Sequence, residues 1–357
     1  MTVKITKPEI NIREKLAELQ KPSGVAGEAM LRADTPQEQF DLIGAGRRNI
    51  LINGGFTVSQ RGDYSSATSV SNGFYYLDRW NMDVSGVTTT IQSSSNVDLP
   101  NGITVKTAKV AATSSATGYM QIRQKIEVED WMDNRVYTLS AWVKSNTPYP
   151  RLRIESAGPT LGNIDSEQTH SGSGNWEYLT MTFKSGNSIV NFNAGVIDWA
   201  GSATRAITSG DYFEVANVQL EVGNVATPFE HRSYGEELAL CQRYCYVIGH
   251  PSQVIYLGTG SMYTTTAVNL SVPLPVQMRH NSPSFTRVAN GTGNWLNLYV
   301  GATGTLSNAT PLQGDYTQSN MRIYIPGAHS GSSPSAAGAG VWSMVLAGAQ
   351  LIINAEL

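Results

Sequence analysis

The side chains that most often carry enzyme chemistry are sparse in this sequence and lack the usual spacing. No Gly-x-Ser-x-Gly elbow or phosphate-binding loop is present. Three acidic residues that could form a glycan-hydrolysing pair, Glu127, Glu129 and Asp130, lie in a run typical of a solvated strand end. The sequence therefore predicts that the protein is not an enzyme. None of the five histidines lies in a catalytic-triad motif or at metal-ligand spacing: His170, His231, His250, His280 and His329.

Two cysteines, Cys241 and Cys245, lie four residues apart on one face of a helix predicted over residues 235–245. The spacing suits a pair of metal ligands, but no second Cys or His pair accompanies it. We therefore expect buried free thiols, with no metal and no other cofactor. Leu238 shares their side of the helix, and the apolar stripe is wide for so short an element. That stripe indicates a contact surface.

Aromatic residues on the polar faces of predicted strands indicate a different chemistry, stacking on sugar rings. Residues 137–144 and 176–183 alternate with period two, which places Trp142 and Tyr178 opposite the core side. Flat rings beside amide and guanidinium donors suit a carbohydrate, whose C–H face stacks while its hydroxyls hydrogen-bond. The alternative is that each ring packs under a loop or against a neighbouring subunit. The candidate glycan-binding residues are Trp142, Tyr178, Arg123 and Gln121.

The elements that position these residues are mostly strands. A length of 357 residues suggests two or three domains, and a charged fraction of only 15% is typical of short strands joined by turns. Residues 50–56 predict an apolar strand that turns at Asn53-Gly54, and further strands predict a β-sandwich over residues 48–231. A linker helix and a C-terminal β-sandwich are predicted over residues 232–357. The fold class is therefore mainly β.

Residues 1–47 predict short helices instead. Helices of about two turns are marginal in water unless they pack against a partner. The partner is the body of the chain, a symmetry mate or another protein, and we interpret the segment as an anchor. The alternative is a helical cap on the next domain. The apolar residues assigned to docking are Ile12, Leu16 and Leu19 on the first helix, and Phe40 and Leu42 on the second.

Charge and hydropathy argue against some classes of partner. A net charge of −3 gives no electrostatic reason to expect nucleic acid or an anionic membrane. No apolar run approaches the roughly 20 residues that a membrane helix needs. The N-terminus has no apolar stretch of the kind found in secretory signals. We therefore expect a protein made and folded in a reducing cytosol, with no membrane insertion.

The junction between the two β-rich parts resembles one found in bacteriophage tail fibres and related virion receptor-binding proteins. It reads Val-Gln-Leu-Glu-Val-Gly-Asn-Val-Ala-Thr-Pro-Phe-Glu over residues 218–230, which indicates a strand, a turn and an exposed tether before the helix. Residues 1–47 are similar to the N-termini of fibre-like proteins of marine phages. Residues 275–279 and the Ala355-Glu356-Leu357 terminus resemble the distal domain of many phage fibres.

The order of segments over about residues 48–231 resembles the jelly-roll carbohydrate-binding modules. Those modules share an opening Asn-Gly turn, a Leu-Ser-x-Trp strand (residues 139–142) and a Leu-Glu ending at Leu220-Glu221. Gly55 stands where they often carry an acid of a structural calcium site, and this departure argues against the calcium.

Together these resemblances imply a virion structural protein, made in the cytoplasm of a host bacterium. It would be a tail fibre that binds a glycan on the host surface, with residues 1–47 attached to other virion proteins. With the wide apolar stripe of the helix, they imply a homotrimer about an axis along that helix. The alternatives are a capsid decoration or head-fibre protein without a receptor role, or a glycan-degrading spike enzyme.

Overall fold

The computed structural model describes residues 48–127, 134–157, 162–186, 191–200, 204–264, 266–280, 282–300, 303–309, 311–316, 320–327 and 340–356. Asn49–Leu357 form one compact unit and Met1–Arg48 a second. The anchor residues Ile12, Leu16, Leu19, Phe40 and Leu42 lie outside the described residues, as do Glu129 and Asp130.

The first half of the larger unit is a sandwich of two antiparallel sheets. One sheet has the order β1-β3-β4-β12-β6-β9 and the other β11-β5-β10-β7-β8, with β2 paired to β5. Their central strands, β4-β12-β6-β9 and β5-β10-β7-β8, follow the jelly-roll order. The strands are β1 (Thr68–Val70), β2 (Asn81–Ser85), β3 (Thr89–Asp98), β4 (Thr104–Ala112), β5 (Ala116–Ile126), β6 (Val136–Ser145), β7 (Pro150–Ala157), β8 (Ile164–Thr169), β9 (Trp176–Lys184), β10 (Asn191–Asp198), β11 (Arg205–Ile207) and β12 (Tyr212–Val222).

Alternation along the strands decides which residues fill the core between the sheets. On β6 the side chains of Tyr137, Leu139, Ala141 and Val143 are fully buried, as period two predicts. They pack with the inward residues of β5, β9, β10 and β12 in one cluster. The residues between them therefore point to the outer face of the first sheet.

The opening segment is not the strand that its apolar residues predict. Residues 51–55 form bends and a turn, and Asn53 has a φ of 58°. Ile52 donates its amide to the side chain of Gln124 at 2.8 Å and accepts from the same side chain at 2.6 Å. The Asn53 side chain donates to the carbonyls of Val58 and Asp78. Side chains thus satisfy the backbone groups that a sheet ladder would otherwise pair.

The described residues of the second half contain one helix, α1 (Tyr234–Gln242), and two further sheets ordered β13-β22-β16 and β18-β17-β21-β14-β15-β20-β19. Both sheets contribute to a second core that includes Ile248, Leu270 and Leu351. The prediction of a mainly β chain is confirmed. The strands are β13 (Cys245–Gly249), β14 (Ile255–Met262), β15 (Val268–Pro273), β16 (Ser284–Val288), β17 (Leu296–Val300), β18 (Thr303–Ser307), β19 (Leu312–Tyr316), β20 (Asn320–Ile325), β21 (Gly340–Val345) and β22 (Gln350–Asn354).

Helix α1 is shorter than predicted and its apolar side is covered. Ser233 caps it through a capping box, and the helix ends at Gln242, because Cys245 already pairs with β22 as the first residue of β13. Cys241 is fully buried against Ile52 and Val58 of the sandwich. Leu238 packs against the same cluster, and Cys245 is also buried. Cys241 and Cys245 are therefore enclosed within the chain, and Leu238 is half-buried against the same cluster.

A buried ion-pair network, here called the junction network, joins the two halves. Arg61 lies 3.2 Å from Asp78 and 3.0 Å from Glu356. Arg79 also pairs with Glu356, and its guanidinium carbon lies 3.5 Å from the centroid of the Tyr244 ring. The charged side chains of the network are at most 8% exposed. A network this well buried holds both halves in one arrangement, because leaving any one of these charges buried without its partner costs about 3–5 kcal/mol.

Candidate functional site

The two aromatic residues predicted to bind a glycan lie side by side on the outer face of the first sheet. Trp142 on β6 and Tyr178 on β9 are register partners. Their ring centroids are 5.1 Å apart and the planes are inclined by 47°. Both side chains are half-buried. Trp142 packs against the cluster that contains Val105 and Ala216, and Ala216 is its register partner on β12, so neighbouring strands support the ring from the side.

The pair forms part of the floor of a groove with a volume of about 380 Å³. Ser140 and Gln219 continue the floor, and Asn101 and Ile103 line it from the loop between β3 and β4. Burial raises the pKa of the Tyr178 hydroxyl; a hydrogen bond with Ser140 opposes this rise, and the charge of Glu221 adds to it. The hydroxyl therefore stays protonated at neutral pH and can both donate and accept a hydrogen bond.

The second wall of the groove is the chain segment that leaves β12, here called the tether (residues 223–233). The sequence indicates an exposed linker, but the tether folds back over the outer face of the sheet. Glu221, almost fully buried, accepts from the amide of Thr227 at 2.9 Å and from its hydroxyl at 2.5 Å. Gln219 donates to the same threonine and accepts from the Glu230 amide at 2.8 Å.

The far end of the tether is fixed to the opening segment of the sandwich. The Glu230 carboxylate accepts from the Asn49 amide at 2.8 Å and pairs with Arg232 at the same distance. Arg232 also donates to the carbonyls of Asn49 and Leu51. Phe229 and His231 line the groove next to these contacts, with their rings edge to face at 5.1 Å. The wall is therefore held at both ends.

The other two predicted glycan-binding residues lie elsewhere. Gln121 and Arg123 belong to β5 in the second sheet, on the side away from the core. Arg123 pairs with Asp83 at 2.8 Å and with Glu155. Gln121 is 1% exposed. Arg123 therefore does not lie beside Trp142, as we had expected. Both strands alternate as predicted, but they belong to opposite sheets, and periodicity alone does not reveal which sheet a strand joins.

The groove combines stacking surfaces with neutral hydrogen-bonding groups. Trp142, Tyr178 and Phe229 offer rings, and Ser140, Gln219 and other lining residues offer hydroxyl and amide groups. No described residue that lines the groove carries a carboxylate. Glu127 of the predicted acidic run is paired with Arg243 at 3.1 Å. No group of three or more His, Cys, Asp or Glu in the described ranges could hold a metal ion, and no described helix is long and apolar enough to cross a membrane.

No protein-family model matches the chain, and no curated protein matches it. Among solved structures it is similar to the enzymatically active domain of tailspike protein 4 of bacteriophage CBA120, with a TM-score of 0.35 and 13% identity over 49% of this chain and 21% of that one. It is also similar to the carbohydrate-binding module TmCBM61, solved with β-1,4-galactotriose (TM-score 0.29, 14% identity, 49% of this chain and 99% of that one). A third similar structure is the CBM22-1 xylan-binding domain of Paenibacillus barcinonensis Xyn10C, with a TM-score of 0.30 and 11% identity over 46% of this chain and 99% of that one. All three TM-scores lie below 0.5.

Proposed function

We propose that the protein binds a glycan in the groove over Trp142 and Tyr178. The observation that supports this is the paired rings on the floor of a groove whose other lining groups are mostly hydroxyls and amides. A sugar ring presents an apolar C–H face and polar hydroxyl edges, and the groove offers a partner for each. We expect a dissociation constant on the order of millimolar for a single site, equivalent to about 4 kcal/mol.

We further propose that this binding attaches a bacteriophage to its host, with the protein serving as a tail fibre of the virion. The support is the resemblance of residues 218–230 and of residues 1–47 to phage fibre proteins. A homotrimer would multiply weak sites, since linked sites raise overall affinity by about 10²–10⁴. It would have to form through surfaces other than the covered side of α1. Antibody labelling of particles would distinguish a tail position from a head position.

The groove is tested by removing one ring at a time. Trp142→Ala and Tyr178→Ala should each weaken binding to the polysaccharide that the wild type prefers on a panel of purified bacterial surface polysaccharides. The loss should be at least about fivefold, because a stacked ring contributes about 1 kcal/mol beyond its buried area. Trp142→Phe should retain part of the affinity. Isothermal titration gives the affinities and calorimetry the melting temperatures.

The matched control is Tyr256→Ala, which removes a 54%-exposed tyrosine from β14, outside the groove. It should bind like the wild type. Unchanged affinity in both groove variants, with the wild type binding normally, would refute the proposal. A melting temperature lowered by much more than a few degrees in both would show that the rings are packing residues.

A further inference from the structure

A larger cavity, here called the cleft, lies between the sandwich and the C-terminal half and has a volume of about 620 Å³. The sandwich contributes Ser59, Asp63 and neighbouring residues, while His250 and Gln350 come from the C-terminal half. Tyr234, the first residue of α1, stands at its edge with 60% of its surface exposed. The cleft thus shares with the groove an accessible aromatic ring beside hydroxyl, amide and imidazole groups, and it adds the charged Lys106 and Asp63.

A third cavity of about 240 Å³, here called the middle pocket, adjoins both the cleft and the groove. The middle pocket shares Asn217, Phe229 and His231 with the groove. It shares Thr57 and Lys106 with the cleft. The three cavities therefore follow one another along the molecule, from Trp142 and Tyr178 to the boundary between the halves.

The cleft is a preformed site, because its two sides are locked together. Gln60, which lines it, donates to the Cys245 carbonyl at 2.8 Å. The next residue, Arg61, belongs to the junction network and reaches Glu356 at 3.0 Å. A site whose walls are already fixed loses little ordering entropy when a ligand enters.

The path has no excess of positive charge, because the described residues that line it supply the three carboxylates of Asp63, Glu230 and Glu237 and only two cations, Lys106 and Arg232. The charged residues that line the cleft are Lys106 and Asp63. The middle pocket contains Glu230 and Glu237, and Arg232 forms ion pairs with both. A polyanion would need an excess of positive charge, which this path does not offer. The lining suits a neutral polymer that presents hydroxyl groups.

We infer that the cleft is a second glycan subsite, and that one neutral, linear polysaccharide strand runs from the groove through the middle pocket to Tyr234 and His250. This inference rests on the proposed function of the groove and extends the recognised ligand from a short glycan to a chain. A strand that engages both ends gains affinity over one that engages the groove alone, because the second contact is intramolecular.

The test uses the full chain and the polysaccharide best bound on the panel, cut into fragments of about three and about ten sugars. The wild type should bind the long fragments at least about tenfold more tightly than the short ones. Tyr234→Ala and His250→Ala should remove most of that gain and leave the affinity for short fragments unchanged. Trp142→Ala should weaken both, and Tyr256→Ala neither. Raising the salt from about 0.05 to about 0.5 M should leave the affinities within twofold.

The outcomes separate the two proposals. Long-fragment affinity that Tyr234→Ala and His250→Ala leave intact, while Trp142→Ala weakens all fragments, would overturn the cleft subsite and keep the groove. Equal weakening of short and long fragments by the cleft variants would also overturn it, because the cleft would then not extend the groove. A steep fall of affinity with salt would overturn the neutral strand. Failure of the wild type to bind any polysaccharide would overturn the groove itself.

Discussion

At the scale of single residues, buried polar side chains replace backbone pairing where the chain is irregular. The side chain of Asn49 accepts from the amides of Leu51 and Leu220 and donates to the Val218 carbonyl. The Trp80 indole donates to the Asn53 carbonyl at 2.8 Å. Each such bond contributes about 1 kcal/mol, and an orphaned partner costs about 1–3 kcal/mol. The opening segment can therefore be buried without belonging to a sheet.

The two cysteines give a prediction at this scale. Burial raises the pKa of the Cys245 thiol to about 12 against the opposing effect of Arg61, and burial likewise raises the pKa of Cys241. Both thiols should therefore be neutral at pH 8 and unreactive towards Ellman's reagent in the folded protein, since the thiolate is the nucleophile. Both should react in guanidinium chloride. Rapid reaction of either thiol in the native state would contradict the burial.

The same raised pKa values fix the direction of a pH effect on stability. In the unfolded chain a thiol loses its proton near pH 8.5, whereas in the folded chain Cys245 keeps it until about 12. Below the pKa of the unfolded thiol, this group leaves the free energy of unfolding at its full value. As the pH rises from that pKa towards the pKa of the folded chain, the free energy of unfolding falls, because only the unfolded chain loses the proton. Urea unfolding at pH 7 and pH 10 should show the lower free energy of unfolding at pH 10, with a smaller difference in a Cys241→Ala, Cys245→Ala variant.

At the scale of elements, periodicity predicted the strands well and the tether poorly. Alternating residues placed β6 and β9 correctly, with Trp142 and Tyr178 on their outer face. The tether depends on contacts such as Glu230 to Asn49, which are 181 residues apart in sequence. No local pattern encodes a partner so distant. For the same reason the sequence did not show that Arg123 lies in the other sheet.

The tether gives a prediction about the groove wall. Glu221→Ala removes the acceptor for the Thr227 amide and hydroxyl, while the neighbouring core residue Leu220 is untouched. The loss should cost about 1–3 kcal/mol locally and loosen the wall. The backbone amides of residues 224–227 and of Phe229 should then exchange faster with solvent, and glycan affinity should fall. Glu221→Gln, which keeps one acceptor oxygen, should show a weaker effect. Unchanged exchange in the alanine variant would mean that other contacts hold the tether.

At the scale of the whole molecule, residues 49–357 have their own cores and the junction network. Deleting residues 1–47 should therefore leave a soluble protein with the melting temperature and glycan affinity of the full chain. If the segment is the anchor we propose, the truncated protein should no longer be incorporated into particles in a complementation assay. Normal incorporation would contradict the anchor, and failure to fold would show that the segment is a cap.

The tether also decides where such a chain could be recombined with a related one. A chimaera of two related chains folds best when both residues of each contacting pair come from the same parent chain. A boundary at Gly223, directly after β12, would split Glu221 from Thr227 and Asn49 from Glu230. A boundary after α1 would keep both pairs together. The groove should therefore be inherited as a block that includes the sandwich, the tether and the helix, whereas the cleft would also need the C-terminal half that supplies His250 and Gln350. Grafting the sandwich alone would transfer the rings without the groove.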